Sequence, residues 1–217
     1  MINITLSLWD TGGQERFGFF KTDFFKGVAA VALVFDLSRP DTFDSIEEYF
    51  EDIRELSGNI PIILVGNKDD LKKDIGEMIP REKIIQMVNQ YSLFEYIETS
   101  AFENLNVEKL FHRLSLTALI DLQPRLGEII DSNHFRFKVL LLGAAAVGKS
   151  ALITVFTKKK FEENYKLTVG LDFMIQDLKI EEEDVPNETL NFMKNATKKK
   201  RIKKIRKKEE VQSSLSG

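Results

Sequence analysis

The chain of 217 residues contains no cysteine, one tryptophan, two histidines and five prolines. Without a thiol there can be no disulfide, no thiolate metal site and no cysteine to carry a prenyl or palmitoyl group. His112 and His134 stand far apart; they form no catalytic constellation and read as a helix position and a linker position. No apolar run reaches the ~18 residues a membrane-spanning helix requires, and no signal-peptide pattern opens the chain. Ile2, not glycine, follows Met1, so N-myristoylation is not expected. The expectation is a cytoplasmic protein without a lipid anchor, at most peripheral to a membrane. A large net charge is also missing. The formal value is −3 with 43% hydrophobic residues, the balance of a globular chain able to bury a core.

That small net charge hides an asymmetry. Residues 194–210 hold ten Lys/Arg against two acids, so an acidic body precedes a basic tail. Residues 198–208 would attract anionic lipid head groups or RNA by charge alone. The plainer reading is a solvated, disordered run. The acidic stretch Glu181-Glu182-Glu183-Asp184 reads as solvated rather than as a metal site.

What is present is periodicity. Residues 2–9 alternate apolar and polar at period two, as a strand does. Residues 28–35 and 60–65 are apolar on both faces, as central parallel strands are. Apolar residues at 43, 46, 50, 53 and 56 predict a helix over 41–56. Pro80 opens a further helix through about Tyr91, 94–97 is a short strand, and 105–122 an amphipathic helix. Residues 124–133 read as a connecting segment, 137–142 as a buried strand, and Lys149 to about Lys158 as a helix. An extended loop over 161–168 then precedes a partly apolar strand over 171–180, suited to a sheet edge. Strands alternating with helices predict an α/β fold, a six-stranded, mostly parallel sheet flanked by helices. Ligands in such folds bind at the carboxyl ends of the strands.

One stretch fits that placement with unusual specificity. Gly143-Ala144-Ala145-Ala146-Val147-Gly148-Lys149-Ser150 has the form G-x-x-x-x-G-K-S between a buried strand and a helix. Backbone N–H groups of such a loop and of the following helix start point inward and cradle phosphate oxygens. Gly143 and Gly148 let the backbone approach the anion. Lys149 brings a point charge to the terminal phosphates, and Ser150 offers a hydroxyl to Mg²⁺. An ordinary glycine-containing turn is the bland alternative.

Four further motifs accompany it. Trp9-Asp10-Thr11-Gly12-Gly13-Gln14-Glu15-Arg16-Phe17 resembles the W-D-T-A-G-Q-E-R-F of Ras-like small GTPases, and Asn67-Lys68-Asp69-Asp70 resembles their N-K-x-D. Thr99-Ser100-Ala101 is similar to their T-S-A. Tyr165-Lys166-Leu167-Thr168-Val169-Gly170-Leu171-Asp172-Phe173 resembles the Y-K-x-T-x-G-x-D-F segment of the Rab branch. The order differs from the family's, in which the phosphate loop comes first. Moving residues from about 134 to the front restores it. The chain therefore resembles a small GTPase permuted at the hairpin between the family's second and third strands. On that reading 1–180 is the domain, 123–134 joins the family's usual termini, and 181–217 is a polar, polybasic, disordered tail. A fragment spanning two tandem GTPases is the rival arrangement.

The resemblance implies a GTP-binding switch with GTP or GDP as ligand, Mg²⁺ as cofactor and slow GTP hydrolysis. It makes residues 143–150 and Ala151 the phosphate cradle, joined by Gly13, Tyr165 and Thr168. Guanine would be read by Asn67, Lys68, Asp70, Ser100 and Ala101, with Phe161 against the base or ribose. Asp70 would accept from the two N–H groups on guanine's edge. Ser150, Thr168 and, through water, Asp10 would hold Mg²⁺, all hard oxygen donors. Gln14 would orient the attacking water. Trp9, Phe24 and Phe173 match the apolar triad Rab proteins show to effectors and regulators, although core packing would serve them equally. Departures from the pattern carry expectations too. Ala145 and Ala146 replace glycines found in Ras itself, and a methyl on Ala145 would crowd an incoming arginine, so hydrolysis should be slow and poorly accelerated by a partner. Gly12 replaces the usual alanine and should loosen its loop. Two other functions suit the same sequence: a permuted GTPase acting on RNA or ribosome assembly, and a nucleotide-binding scaffold without turnover.

Overall fold

A computed structural model describes residues 1–11, 21–121, 128–131, 134–162 and 171–191. Its strands are β1 (Ile2–Thr11), β2 (Val28–Asp36), β3 (Ile62–Asn67), β4 (Glu95–Glu98), β5 (Glu128–Asp131), β6 (His134–Leu142) and β7 (Leu171–Ile180). The helices are α1 (Lys21–Phe25), α2 (Pro40–Asp44), α3 (Glu47–Ser57), α4 (Lys72–Ile75), α5 (Arg81–Gln90), α6 (Val107–Ile120) and α7 (Lys149–Lys158). Six strands form the sheet in the order β4-β3-β2-β6-β1-β7, with β5 attached to β6 outside that path. Along that path neighbours are parallel except at the β7 edge, where β7 runs antiparallel to β1; β5 also runs antiparallel to β6. The α/β expectation holds.

The sheet separates two cores because its central strands alternate. In β2, Ala30, Ala32 and Val34 join the core beneath α6 and α7. Val31, Leu33 and Phe35 point into the other, shared with α3 and α5. Both faces are covered, so every residue of β2 is buried, as a central parallel strand requires. β1 is different. Ile2, Ile4, Leu6 and Leu8 enter the first core, while Thr5 on the other face bonds polar neighbours. Its hydroxyl donates to Asp177 Oδ1 at 2.5 Å and lies 2.8 Å from His134 Nε2. On α6, Leu110, Phe111, Leu114 and Leu119 are fully buried, each contributing about 2 kcal/mol of apolar burial.

Several expectations need correction. The helix over 41–56 is two helices, because the chain tightens at Ser45 and Ile46. There Ile46 N–H bonds Phe43 O, Glu48 N–H bonds Ser45 O and Tyr49 N–H bonds Ile46 O, all three residues back. The Ser45 hydroxyl donates to Thr42 O. Phe43, Ile46, Phe50 and Ile53 stay buried, so the periodicity identified the face and not the break. The segment 124–133 contains β5, and His134 is the first residue of β6 rather than a linker residue. The reason is a vacant edge. β2 pairs with β6 only from Lys138 onward, and β5 pairs with His134, Phe135 and Arg136. Nor does folding stop at residue 180. Val185 is buried in the first core and Leu190 packs against it. The short α1, α4 and the 3-10 turn Asp69–Leu71 carried no periodic signal, since one turn is too short to show one.

Candidate functional site

At the carboxyl end of β6 the chain enters the loop 143–150, and its two glycines are dictated by their surroundings. Gly143 has φ +138, and a Cβ there would lie 2.0 Å from Val34 O of the adjacent β2. Gly148 has φ +98, and its Cβ would meet Asn67 Nδ2 at 2.3 Å. No side chain fits either position. Ala146 also adopts a left-handed backbone, φ 63, a conformation costing about 1 kcal/mol for a residue with a Cβ. Leu152, Ile153, Val155 and Phe156 bury α7 against the first core, which fixes the helix start beneath the loop.

Lys149 is 5% exposed and curls back, donating to Gly143 O and Ala144 O at 2.8 Å each. Burial pulls its ammonium down to about 8, against the opposing charge of Asp10. Beside it, the Ser150 hydroxyl donates to Asp10 Oδ2 at the end of β1. A hydroxyl and a buried carboxylate side by side are hard oxygen donors, and this pair fits Mg²⁺.

Asn67, the last residue of β3, ties three loops together. Its Nδ2 donates to Val147 O at 2.8 Å. Its Oδ1 accepts from Thr99 Oγ1 at 3.1 Å and from Ala101 N–H at 3.3 Å. Ala101 N–H is thus turned onto Asn67. Ser100 Oγ donates to Asp70 Oδ1 at 2.5 Å, which aims the Asp70 carboxylate. Lys68 sits in the left-handed region, φ 66 and ψ 40, and pairs with Asp36 at 2.7 Å. Phe161 reaches the same end of the sheet, its ring edge-on to Phe102 at 5.4 Å between centroids. Strand ends far apart in sequence, at 10, 67, 100 and 143, therefore meet around one place.

A family model described as the Ras family matches residues 1–119 and 138–198. The chain belongs to the Ras family. Its curated relatives are Rab-like. A Ras-related protein YPTC6 of Chlamydomonas reinhardtii is 33% identical over 139 residues, 63% of this chain and 61% of the relative. RABA4a of Arabidopsis thaliana is 38% identical over 110 residues, 50% and 47% of the two chains. Rab-3D of Mus musculus is 35% identical over 112 residues, 51% and 50%. The chain thus spans about three fifths of the length of these relatives, or less.

Within this Ras-family chain, Gly13, Gln14, Tyr165 and Thr168 lie outside the described residues, as does the basic run 198–208. The aromatic triad does assemble. Trp9 stacks on Phe173 at 5.7 Å and meets Phe24 edge-on at 5.8 Å. Phe24 is buried, however, so the exposed part of this face is mainly Phe173. Four functional candidates escaped the sequence reading. Lys138 Nζ stands 4.1 Å over the Trp9 ring. Phe102 is 60% exposed beside Ala101. Asp36 and Arg39 brace the base-side loop and the phosphate loop. Only position could have flagged them: Asp36 ends an apolar strand, and Phe102 directly follows the T-S-A motif.

Proposed function

We propose that this chain is a Rab-like guanine-nucleotide switch that binds GTP or GDP with Mg²⁺ and hydrolyses GTP slowly. The observation that carries the reading is Asn67, which links the phosphate loop, the N-K-x-D loop and the T-S-A turn through three hydrogen bonds. Loop N–H groups and Lys149 bind the phosphates, with Ala144 to Val147 and Ala151 lining the cradle. Asp70, held by Ser100, accepts from the guanine edge. Asn67 and Lys68 order the loop beside the base, and Ala101 N–H turns from Asn67 to the guanine oxygen. Phe161 packs against the base or ribose. Gly13, Tyr165 and Thr168 complete the phosphate contacts, and Gln14 orients water. Ser150, Thr168 and, through water, Asp10 would hold Mg²⁺, which when bound neutralises phosphate charge. The partners are effectors and regulators reading the Trp9–Phe173 face.

The reading includes a circular permutation. In support, the phosphate-loop strand β6 lies mid-sheet between β1 and β2 although it comes late in the chain. The end of β7 also lies beside the start of β1, with Ile180 paired to Ile2. A chain reordered to begin at 134, with a short turn joining 180 to 2, should bind nucleotide as the present one does. An obligate strand-exchanged dimer would favour the tandem-fragment arrangement instead.

The test is displacement of labelled GDP by GTP, ATP and XTP, with the wild type and Asp70→Asn. Guanine nucleotides should compete with the wild type and ATP should not. Asp70→Asn should lose guanine and gain xanthine, since an amide N–H now meets the xanthine C2 oxygen. Equal competition by ATP would overturn the reading. Binding without phosphate release would leave a scaffold, and salt-sensitive RNA binding lost with residues 194–210 would favour the RNA-directed function.

A further inference from the structure

Two side chains grip the phosphate loop by its carbonyls. Asn67 Nδ2 holds Val147 O at 2.8 Å, and Arg39 Nη2 holds Ala145 O at 2.9 Å. In a planar trans peptide, the carbonyl of one residue and the N–H of the next point in opposite directions. Holding Ala145 O against Arg39 therefore turns the Ala146 N–H away from Arg39. Holding Val147 O against Asn67 turns the Gly148 N–H away from Asn67. The left-handed backbone of Ala146, φ 63, is the twist between those two fixed peptides.

Arg39 is itself held. Its Nε lies 3.1 Å from Asp36 Oδ2, and the Asp36 carboxylate is fully buried. The same oxygen takes Lys68 Nζ at 2.7 Å, while Oδ1 accepts from Ser38 N–H at 2.9 Å and Ser38 Oγ at 2.6 Å. Burial opposes ionisation, but the bonds from Lys68 and Ser38 outweigh it and hold this carboxyl below its ordinary range. Arg39 thus gives its Nε–H to a fixed carboxylate and its Nη2–H to the loop. A lysine would have to reach both acceptors from one nitrogen, without the separated, rigidly spaced donors of the guanidinium.

We propose that Arg39 is a positioning residue for phosphate recognition: anchored on Asp36, it sets the Ala145–Ala146 peptide so that the Ala146 N–H is presented to the bound polyphosphate. The inference rests on the reading of the site as a guanine-nucleotide site. It assigns Arg39 no contact with the nucleotide.

Affinities for guanosine and for GDP, measured by displacement of fluorescent GDP, separate base recognition from phosphate recognition in the wild type, Arg39→Ala and Arg39→Lys. Both variants should weaken GDP about tenfold, as loss of one oriented charge-assisted bond does, and leave guanosine unchanged. Equal weakening of guanosine and GDP would overturn the proposal in favour of a general structural role. So would full rescue by Arg39→Lys, since charge alone would then suffice, or a GDP affinity unmoved by either variant. A wild-type chain that binds no guanine nucleotide would overturn the reading of the site itself, and this inference with it. Wild-type binding with an unmoved ratio overturns this inference alone.

Discussion

Raising the pH on the nucleotide-free protein should stabilise it through one side chain, Lys149. The ammonium is 5% exposed and burial pulls it from its ordinary 10.5 to about 8, with Asp10 too weak a counterweight. The charged form is thus disfavoured in the fold. Below pH 8 both the folded and unfolded states hold the proton, and the fold carries the whole cost of burying the charge. Between 8 and 10.5 the unfolded chain binds more protons than the native one, so stability rises with pH. The full effect across that window is about 3 kcal/mol. Urea unfolding of wild type and Lys149→Met at pH 7, 8.5 and 9.5 isolates it, because other titrating groups cancel in the difference. The two proteins should converge as the wild type sheds its proton. Curves that run parallel from pH 7 to 9.5 would refute the argument. Bound phosphate reverses the sign for ligand binding: it restores the ammonium, so nucleotide affinity should fall about tenfold per pH unit above 8. Lys149→Met should show no such fall.

Three other perturbations test separate parts of the structure. Ala146→Gly relieves a left-handed alanine and should raise unfolding free energy by about 1 kcal/mol, read from the urea midpoint. Lys138→Met removes the ammonium 4.1 Å from the Trp9 ring. Since Trp9 is the sole tryptophan, its emission should shift, with about 1 kcal/mol of stability lost; an unchanged spectrum would mean the contact is absent in solution. Ala145→Gly should speed single-turnover phosphate release several-fold if the methyl obstructs the transition state, and an unchanged rate would refute that.

Much of the fold could be read in advance because its signals are local. The period-two strand at 2–9 and the doubly apolar β2 and β3 announce their own burial. G-x-x-x-x-G-K-S needs its glycines within eight residues. What could not be read depended on partners elsewhere in the chain. β5 forms because β2 leaves part of β6 unpaired, and nothing within 128–131 records that vacancy. Val185 is buried because the first core has room for it, inside a stretch whose composition is that of a tail. Phe24, expected on a partner-facing surface, is buried against Trp9 and Phe25. The helix over 41–56 broke at Ser45, where a hydroxyl competing for a backbone carbonyl outweighed a correct apolar spacing.

By itself the sequence determined the chemistry on offer: a glycine-rich loop, a lysine, a serine, acids at strand ends, and the spacing that puts each at the tip of a strand. Only the tertiary structure decided which of these groups meet. Parallel strands bring their carboxyl ends to one edge of a sheet whatever their order in the chain, so Asp10, Asn67, Ser100 and Lys149 become neighbours through strand pairing. The same pairing made Asp36 a buried anchor for two cations, a role that no residue type or spacing encodes, because it exists only where two chain segments, 36–39 and the loop at 68, close around one carboxylate.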